Sequence, residues 1–180
     1  GHTGKEMAKR AKMFGMNVLG YVRSEREHYE NIDKLYSFDG GDSIDQLVMD
    51  SDFVILTCRL SDETYHLISE RQFELMKPSA YLINMARGPV VDEIALADAL
   101  YKGKIAGAGS DVFEEEPLPI ESPLWDAPNM YITPHCTPEV PDLWASSLRI
   151  IKENIQRYRN GEQMLNQLKP RDVYHQPNRQ

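Results

Sequence analysis

The sequence predicts an α/β protein built on a doubly wound, parallel sheet. Three observations carry that reading. Short apolar runs alternate with segments of helical period along most of the chain. A glycine pair, Gly1 and Gly4, opens the first helical segment at the spacing of a phosphate-binding turn. The stretch Leu82-Ile-Asn-Met-Ala-Arg-Gly-Pro-Val-Val-Asp-Glu93 then reads as a buried strand, a tight loop carrying Arg87, and an acid-capped helix start.

Taken in order, Met7, Ala8, Ala11, Met13 and Phe14 form an apolar stripe at helical spacing, closed by Gly15. Residues 18–22 read as a strand. Gly1 and Gly4 match the second and third glycines of G-x-G-x-x-G, so Gly1, His2, Thr3 and Gly4 are candidate pyrophosphate-binding residues. A second short strand is expected near Leu35 and Tyr36. A short helix follows over 43–49, with Ser43 as N-cap and Ile44, Leu47 and Val48 inward. Residues 52–56 form a compact apolar strand, followed by Cys58 and Arg59 and by a helix start at Ser61-Asp-Glu-Thr64. An amphipathic helix over 70–76 stops before Pro78, and the strand over 81–84 leads to Ala86 and Arg87. The next helix carries Ile94, Leu96, Ala97, Ala99, Leu100 and Tyr101 and ends at Gly103. A strand of small residues over 105–109 implies a close neighbour. Four prolines between 117 and 128 make a stiff irregular loop, and a last strand over 130–133 precedes His135. A long amphipathic helix over 142–158 places Leu143, Ser147, Ile151, Ile155 and Tyr158 on one face. The polar stretch 169–180 reads as a loose tail.

Composition narrows the class. A length of 180 residues allows one domain with a real core. The 41% hydrophobic and 27% charged content is that of a globular protein, and the net charge of −8 argues against a nucleic-acid surface. No apolar run approaches a membrane span, and no signal-peptide pattern opens the chain. Cys58 and Cys136 fit neither a disulfide framework nor a zinc motif, so reduced thiols and a cytoplasmic location are expected, with no metal.

In an open α/β sheet, ligands bind beyond the carboxyl ends of the strands. Arg87, Asp111 with Glu116, and His135 all follow separate strands on that edge. Singly, each has a plain structural reading: a surface arginine, an acidic turn, a loop histidine. Together they suit hydride transfer to a carbonyl carbon. His135 is the candidate proton donor, since imidazole titrates near neutrality. A carboxylate beside it would fix the ring and favour its charged form, and Glu116 is chosen for that place. The Arg87 guanidinium suits a bidentate grip on a substrate carboxylate. At the end of the strand over 18–22, where an NAD site usually carries an acid, Val22 is followed by Arg23, Ser24 and Arg26. Arginine there matches a 2′-phosphate, so NADP is favoured over NAD.

The phrases Asn84-Met-Ala-Arg-Gly-Pro-Val-Val-Asp-Glu93, Gly107-Ala-Gly-Ser-Asp-Val-Phe-Glu-Glu-Glu-Pro117, Ser122-Pro-Leu-Trp125 and Thr133-Pro-His135 resemble the D-isomer-specific 2-hydroxyacid dehydrogenase family in order and spacing. The resemblance covers nearly all of residues 1–166. It implies a dinucleotide-binding domain over 1–166, including the long return helix, and a separate tail over 167–180. The family's N-terminal substrate domain, first strand and first glycine are absent from this sequence. Without them, poor cofactor binding and little turnover are expected.

Position by position, the resemblance implies that Arg87 binds the substrate carboxylate, that Glu116 pairs with the acid–base His135, and that Asp111 lies at the nicotinamide end. Arg59 stands where the family often has proline, beside the adenosine. Arg23 and Ser24 replace the usual aspartate, as in NADP-using glyoxylate and hydroxypyruvate reductases. A small 2-keto or 2-hydroxy acid substrate and a homodimer are implied. Two other readings stay open: a dinucleotide-sensing corepressor-like protein, and a formate- or phosphonate-type dehydrogenase. His28, His66 and His175 match nothing catalytic.

Overall fold

The computed structural model describes residues 1–24, 29–137 and 142–175. Helix α1 (His2–Met13) leads to the strands β1 (Leu19–Val22) and β2 (Lys34–Ser37). After α2 (Asp45–Asp50) come β3 (Phe53–Leu56), α3 (Glu70–Leu75) and β4 (Tyr81–Asn84). Then α4 (Glu93–Tyr101), β5 (Gly107–Ser110), β6 (Met130–Ile132) and the long α5 (Leu143–Arg159) complete the order.

All strand pairing among the described residues is parallel, but it is divided between two sheets: β1-β2, and β3-β4-β5-β6. The interruption falls between β1 and β3. In the doubly wound order 3-2-1-4-5-6, the strand that precedes the glycine turn lies between those two positions. The predicted fold class therefore holds, with the sheet divided where that first strand belongs. The two sheets still share one hydrophobic core, in which Tyr36, Ile44, Leu47 and Val48 join Val54, Leu56, Phe73 and Leu82. Helix α2 packs on both β1 and α3, and α3 packs on α4.

Register aligns the chemistry. Leu56 pairs with Asn84, Asn84 with Ser110, and Ser110 with Ile132. The four strands thus end level, and the loops carrying Arg59, Arg87, Glu116 and His135 all leave from one edge. The small-residue strand has the close neighbour it implied: a Cβ at Gly107 would lie 2.9 Å from both the Asn129 carbonyl oxygen and the Tyr81 ring.

Several details differ from the sequence reading. Ser43 is not the cap of α2; Ile44 takes that position, and the Ser43 hydroxyl accepts from the Asp45 amide at 3.1 Å. Ser61-Asp-Glu-Thr64 starts no helix. It is a turn, held by the Ser61 amide donating to Thr64 Oγ1 at 2.8 Å. On α1 only Ala8 is buried, while Met13 and Phe14 are exposed. Ile94 and Tyr101 on α4, and Ile151, Ile155 and Tyr158 on α5, likewise face outward. Helical period locates an apolar stripe, but burial requires a partner element at that stripe. The tail is not loose through residue 175. Residues Pro170–Asp172 form a 3-10 turn, Arg171 bonds Asp39 at 2.9 Å, and the His175 amide donates to Asp62 at 2.8 Å. Opposite charges distant in sequence dock it, a pairing no local pattern reveals.

Candidate active site

The Arg87 loop is shaped from inside β4. Asn84 is buried, and its side-chain oxygen accepts the Ala86 amide at 3.0 Å while its amide donates to the Arg87 carbonyl at 3.2 Å. This Asx-type turn reverses the chain at once and leaves the Arg87 side chain exposed beyond the strand end. Ala86 has its side chain in the core, and its carbonyl accepts from Arg87 Nη1 at 2.6 Å. Behind the loop, Asp92 caps α4 by accepting the Ala95 amide at 3.0 Å. Gly88 then presses against the loop that follows β5: a Cβ there would lie 1.8 Å from the Phe113 carbonyl carbon. No side chain fits at that position, so the loops carrying Arg87 and Glu116 are in direct backbone contact.

Glu116 and His135 meet. The His135 Nδ1 lies 2.7 Å from Glu116 Oε2, and Glu116 Oε1 accepts the Phe113 amide at 3.0 Å. Burial alone would raise the Glu116 carboxyl. The His135 bond, the Phe113 amide and the charges of His135 and Arg87 outweigh it and hold it below the usual carboxylate range. Arg87 is therefore close enough to act electrostatically on the pair.

His135 itself sits at φ 53°, a left-handed conformation unusual for a residue with a side chain. Asp111 explains how it is held. This buried carboxylate accepts Thr133 Oγ1 at 2.5 Å, the Cys136 amide at 2.9 Å, the Thr137 amide at 2.9 Å, and the Thr137 hydroxyl. Burial works against its charge, yet the Thr133 and Thr137 bonds and the two amides keep it ionised far below the ordinary range. Both Asp111 oxygens thus tie down the residues flanking His135. That role was not read from the sequence, although two hydroxyl residues bracketing the histidine were a usable sign.

The residues expected at the adenosine end are arranged differently from the sequence reading. Arg23 does emerge at the end of β1, but its guanidinium is engaged: Nη2 bonds Ser61 Oγ at 3.0 Å and Glu63 at 2.9 Å, and Nη1 pairs with Asp172 of the tail. Ser24 donates to Asp39 at 2.9 Å. Arg26 lies outside the described residues, as does His28. Cys58 packs against the core, and burial pushes its thiol up, away from reactivity. Arg59 is exposed beside it. Gly4 sits where a Cβ would lie 2.9 Å from Thr57 Oγ1, so α1 begins close against the end of β3. Gly1, His2 and Thr3 form the exposed start of that helix. The residues missed by sequence reasoning here are Ser61, Glu63 and Asp172, which contact Arg23 across long separations. Among the described residues, no cluster of histidine, cysteine and acidic groups is arranged to hold a metal ion, and no helix is long and apolar enough to cross a membrane.

The sequence pattern of the NAD-binding domain of D-isomer-specific 2-hydroxyacid dehydrogenases matches residues 1–137. The chain belongs to that family. Among curated members, a glyoxylate reductase of Thermococcus gammatolerans is 41% identical over 163 residues, covering 90% of this chain and 47% of that protein. Glyoxylate/hydroxypyruvate reductase B of Pectobacterium carotovorum is 47% identical over 136 residues, covering 75% of this chain and 41% of that one. A crystal structure of a D-isomer-specific 2-hydroxyacid dehydrogenase from Xanthobacter autotrophicus, in complex with NADPH and MES, superposes with a TM-score of 0.82 at 36% identity. That match covers 91% of this chain and 65% of the crystallised one. The chain spans about half the length of the curated relatives it matches. The family is thus an NAD(P)-linked one, and the fold and the recognised motifs agree with it.

Proposed function

We propose that the protein reduces a short 2-keto acid, of the glyoxylate or hydroxypyruvate kind, to the D-2-hydroxy acid with NADPH. The observation that carries this is the His135–Glu116 contact of 2.7 Å, formed beside the Arg87 loop at the carboxyl edge of a dinucleotide-binding sheet. Sensing without turnover would not need a histidine held in a left-handed turn against a carboxylate.

The residues present fit a dinucleotide. The N-terminus of the twelve-residue α1 has no side-chain cap and no acid in its first turn, so its electropositive end suits a pyrophosphate. Gly4 permits the tight approach to Thr57 that sets this helix against the strand ends. When bound, the reduced nicotinamide supplies the hydride that the carbonyl carbon receives. Arg87 grips the substrate carboxylate and orients the adjacent carbonyl. Glu116 occupies Nδ1 of His135, which leaves Nε2 to deliver a proton to the carbonyl oxygen as the alcohol forms. The half-exposed ring then recovers its proton from solvent.

Glu116→Gln is expected to lower kcat/KM at every pH, because a neutral amide gives the His135 ring no opposite charge to orient it. In the parent protein the Glu116 carboxyl is held below the usual carboxylate range, so its contribution should persist into mildly acidic solution and be lost only as pH falls through that lowered value. Profiles of kcat/KM against pH check this, and a variant as active as the parent would remove Glu116 from the pair.

The proposal itself is tested with the intact protein on a panel of short keto acids, comparing NADPH with NADH. The expected result is turnover with a higher kcat/KM for NADPH, the 2′-phosphate taking the place that Asp172 holds on Arg23. A higher value for NADH would overturn the Arg23 assignment. Binding without turnover of any keto acid would overturn the reductase. A homodimer, implied by the family resemblance, and a cytoplasmic location, expected from the cysteine usage, belong to the same proposal.

A further inference from the structure

The loops carrying Arg87 and Glu116 are braced by a third segment, whose His66 matches nothing catalytic in the sequence. Residues 66–68 run alongside the end of the Arg87 loop. The His66 amide donates to the Pro89 carbonyl at 2.8 Å, the Ile68 amide to Val90 at 3.2 Å, and the Asp92 amide to Ile68 at 2.9 Å. Ile68 and Val91 form an isolated parallel bridge. From this ladder the His66 ring reaches the other loop: Nε2 lies 3.1 Å from Glu114 Oε1, and Nδ1 lies 3.8 Å from Asp92 Oδ2. Glu114 is in turn locked to the start of α4. Its amide donates to Glu93 Oε1 at 2.6 Å, and the Glu93 amide donates back to Glu114 Oε1 at 3.4 Å. The next contact along this loop is Phe113 to Glu116, and Glu116 holds His135.

His66 adopts φ 46°, a conformation few side-chain-bearing residues take, and its ring stacks on Tyr65 at 4.0 Å between centroids. Backbone outliers of this kind persist where the surroundings impose them, often at functional sites. The ring and Glu114 are both partly exposed, so their contact adds little to global stability. Its consequence is geometric.

We propose that His66 is a positioning residue for the proton-transfer pair: by donating from Nε2 to Glu114 while its backbone braces the Arg87 loop, it sets the loop bearing Glu116 against the loop bearing Arg87. The assignment rests on the reductase reading for its kinetic consequence, though not for its structural one. Burial pushes the Glu93 carboxyl up, the Glu114 amide opposes that, the Glu114 and Glu116 charges add to it, and His66 opposes them. Glu93 therefore lies in the same electrostatic cluster as Glu116 and His66.

The test uses the intact protein and three variants. His66→Asn keeps a residue tolerant of left-handed backbone but is too short to reach Glu114. His66→Gln retains a longer amide donor, and Glu114→Ala removes the acceptor. His66→Asn and Glu114→Ala are expected to lower kcat about tenfold, because small misplacements of catalytic groups cost rate steeply. KM for the keto acid should stay within about twofold, since Arg87 is untouched. His66→Gln should recover most of the loss. Independently of turnover, amide hydrogen exchange at Phe113 and Glu114 should quicken in His66→Asn and Glu114→Ala, with the core amides of β4 unchanged.

Unaltered exchange at Phe113 and Glu114 in His66→Asn would overturn the assignment. So would a loss of activity that His66→Gln does not recover, with exchange quickened throughout the core, which marks a purely structural role. If the parent protein turns over no keto acid, the reductase reading fails, while the exchange result still decides what His66 does.

Discussion

Replacing His135 by alanine is expected to lower kcat for keto-acid reduction by about a hundredfold to ten-thousandfold, the range for losing a positioned general acid. The reason is specific to this geometry. Glu116 engages Nδ1, so the ring is presented with Nε2 outward, and no other titratable side chain touches that pair among the contacts described. The KM for the keto acid should change little, because the carboxylate grip is proposed for Arg87. Folding should be close to that of the parent, since the turn is held by Asp111 through Thr133, Cys136 and Thr137 rather than through the imidazole. Steady-state kinetics with circular dichroism on the same samples separate the two effects. A kcat within threefold of the parent would remove His135 from the chemistry.

Arg87→Ala is expected to act on the other parameter. Truncating one partner of a close, hydrogen-bonded charge pair typically costs about 2–5 kcal/mol, which here corresponds to a rise in KM of about thirtyfold to a few thousandfold. Arg87→Lys should recover only part of that, because an ammonium restores the charge without the planar fork. The loop should survive both changes. Its turn is set by Asn84 and by the fit of Gly88 against Phe113, not by the guanidinium. Keto-acid saturation curves at fixed NADPH decide the matter, and an unchanged KM in Arg87→Ala would assign the carboxylate grip elsewhere. A fall in kcat is expected as well, since Arg87 also contributes to keeping Glu116 charged.

The two variants together discriminate substrate grip from proton delivery, and the cofactor comparison adds an independent axis at the far end of the site. That end is the more crowded. Arg23 has two carboxylates on it, Glu63 and the tail's Asp172, so under the proposed function a 2′-phosphate would have to exchange one anion for another there. The Ser61 hydroxyl on the same guanidinium nitrogen shows that the turn after β3 is part of this surface.

Much of this was readable from residue order. Alternation of apolar runs with helical segments set the class, because strand and helix periods differ and each must bury one side. The strand-loop-helix signature around Arg87 and the motif that ends in Glu116 were local, so they survived translation into structure unchanged. Helix stripes were less dependable. Met13, Phe14 and Ile94 obey the period yet stand exposed, because periodicity describes the helix and burial describes its neighbours.

What needed three dimensions were relations between distant segments. The level ends of β3, β4, β5 and β6 bring four separate loops to one edge as a candidate site, and only strand register establishes that edge. Asp111 locks the residues around His135 across a separation of more than twenty positions, and Asp172 reaches Arg23 across 149. His66, a residue with no motif of its own, becomes a bridge between the Arg87 and Glu114 loops. Local order therefore specifies which groups are available, through short-range propensity and spacing. Which of them meet is set by long-range packing and by charge pairing, whose energies depend on distances that no single stretch of sequence contains.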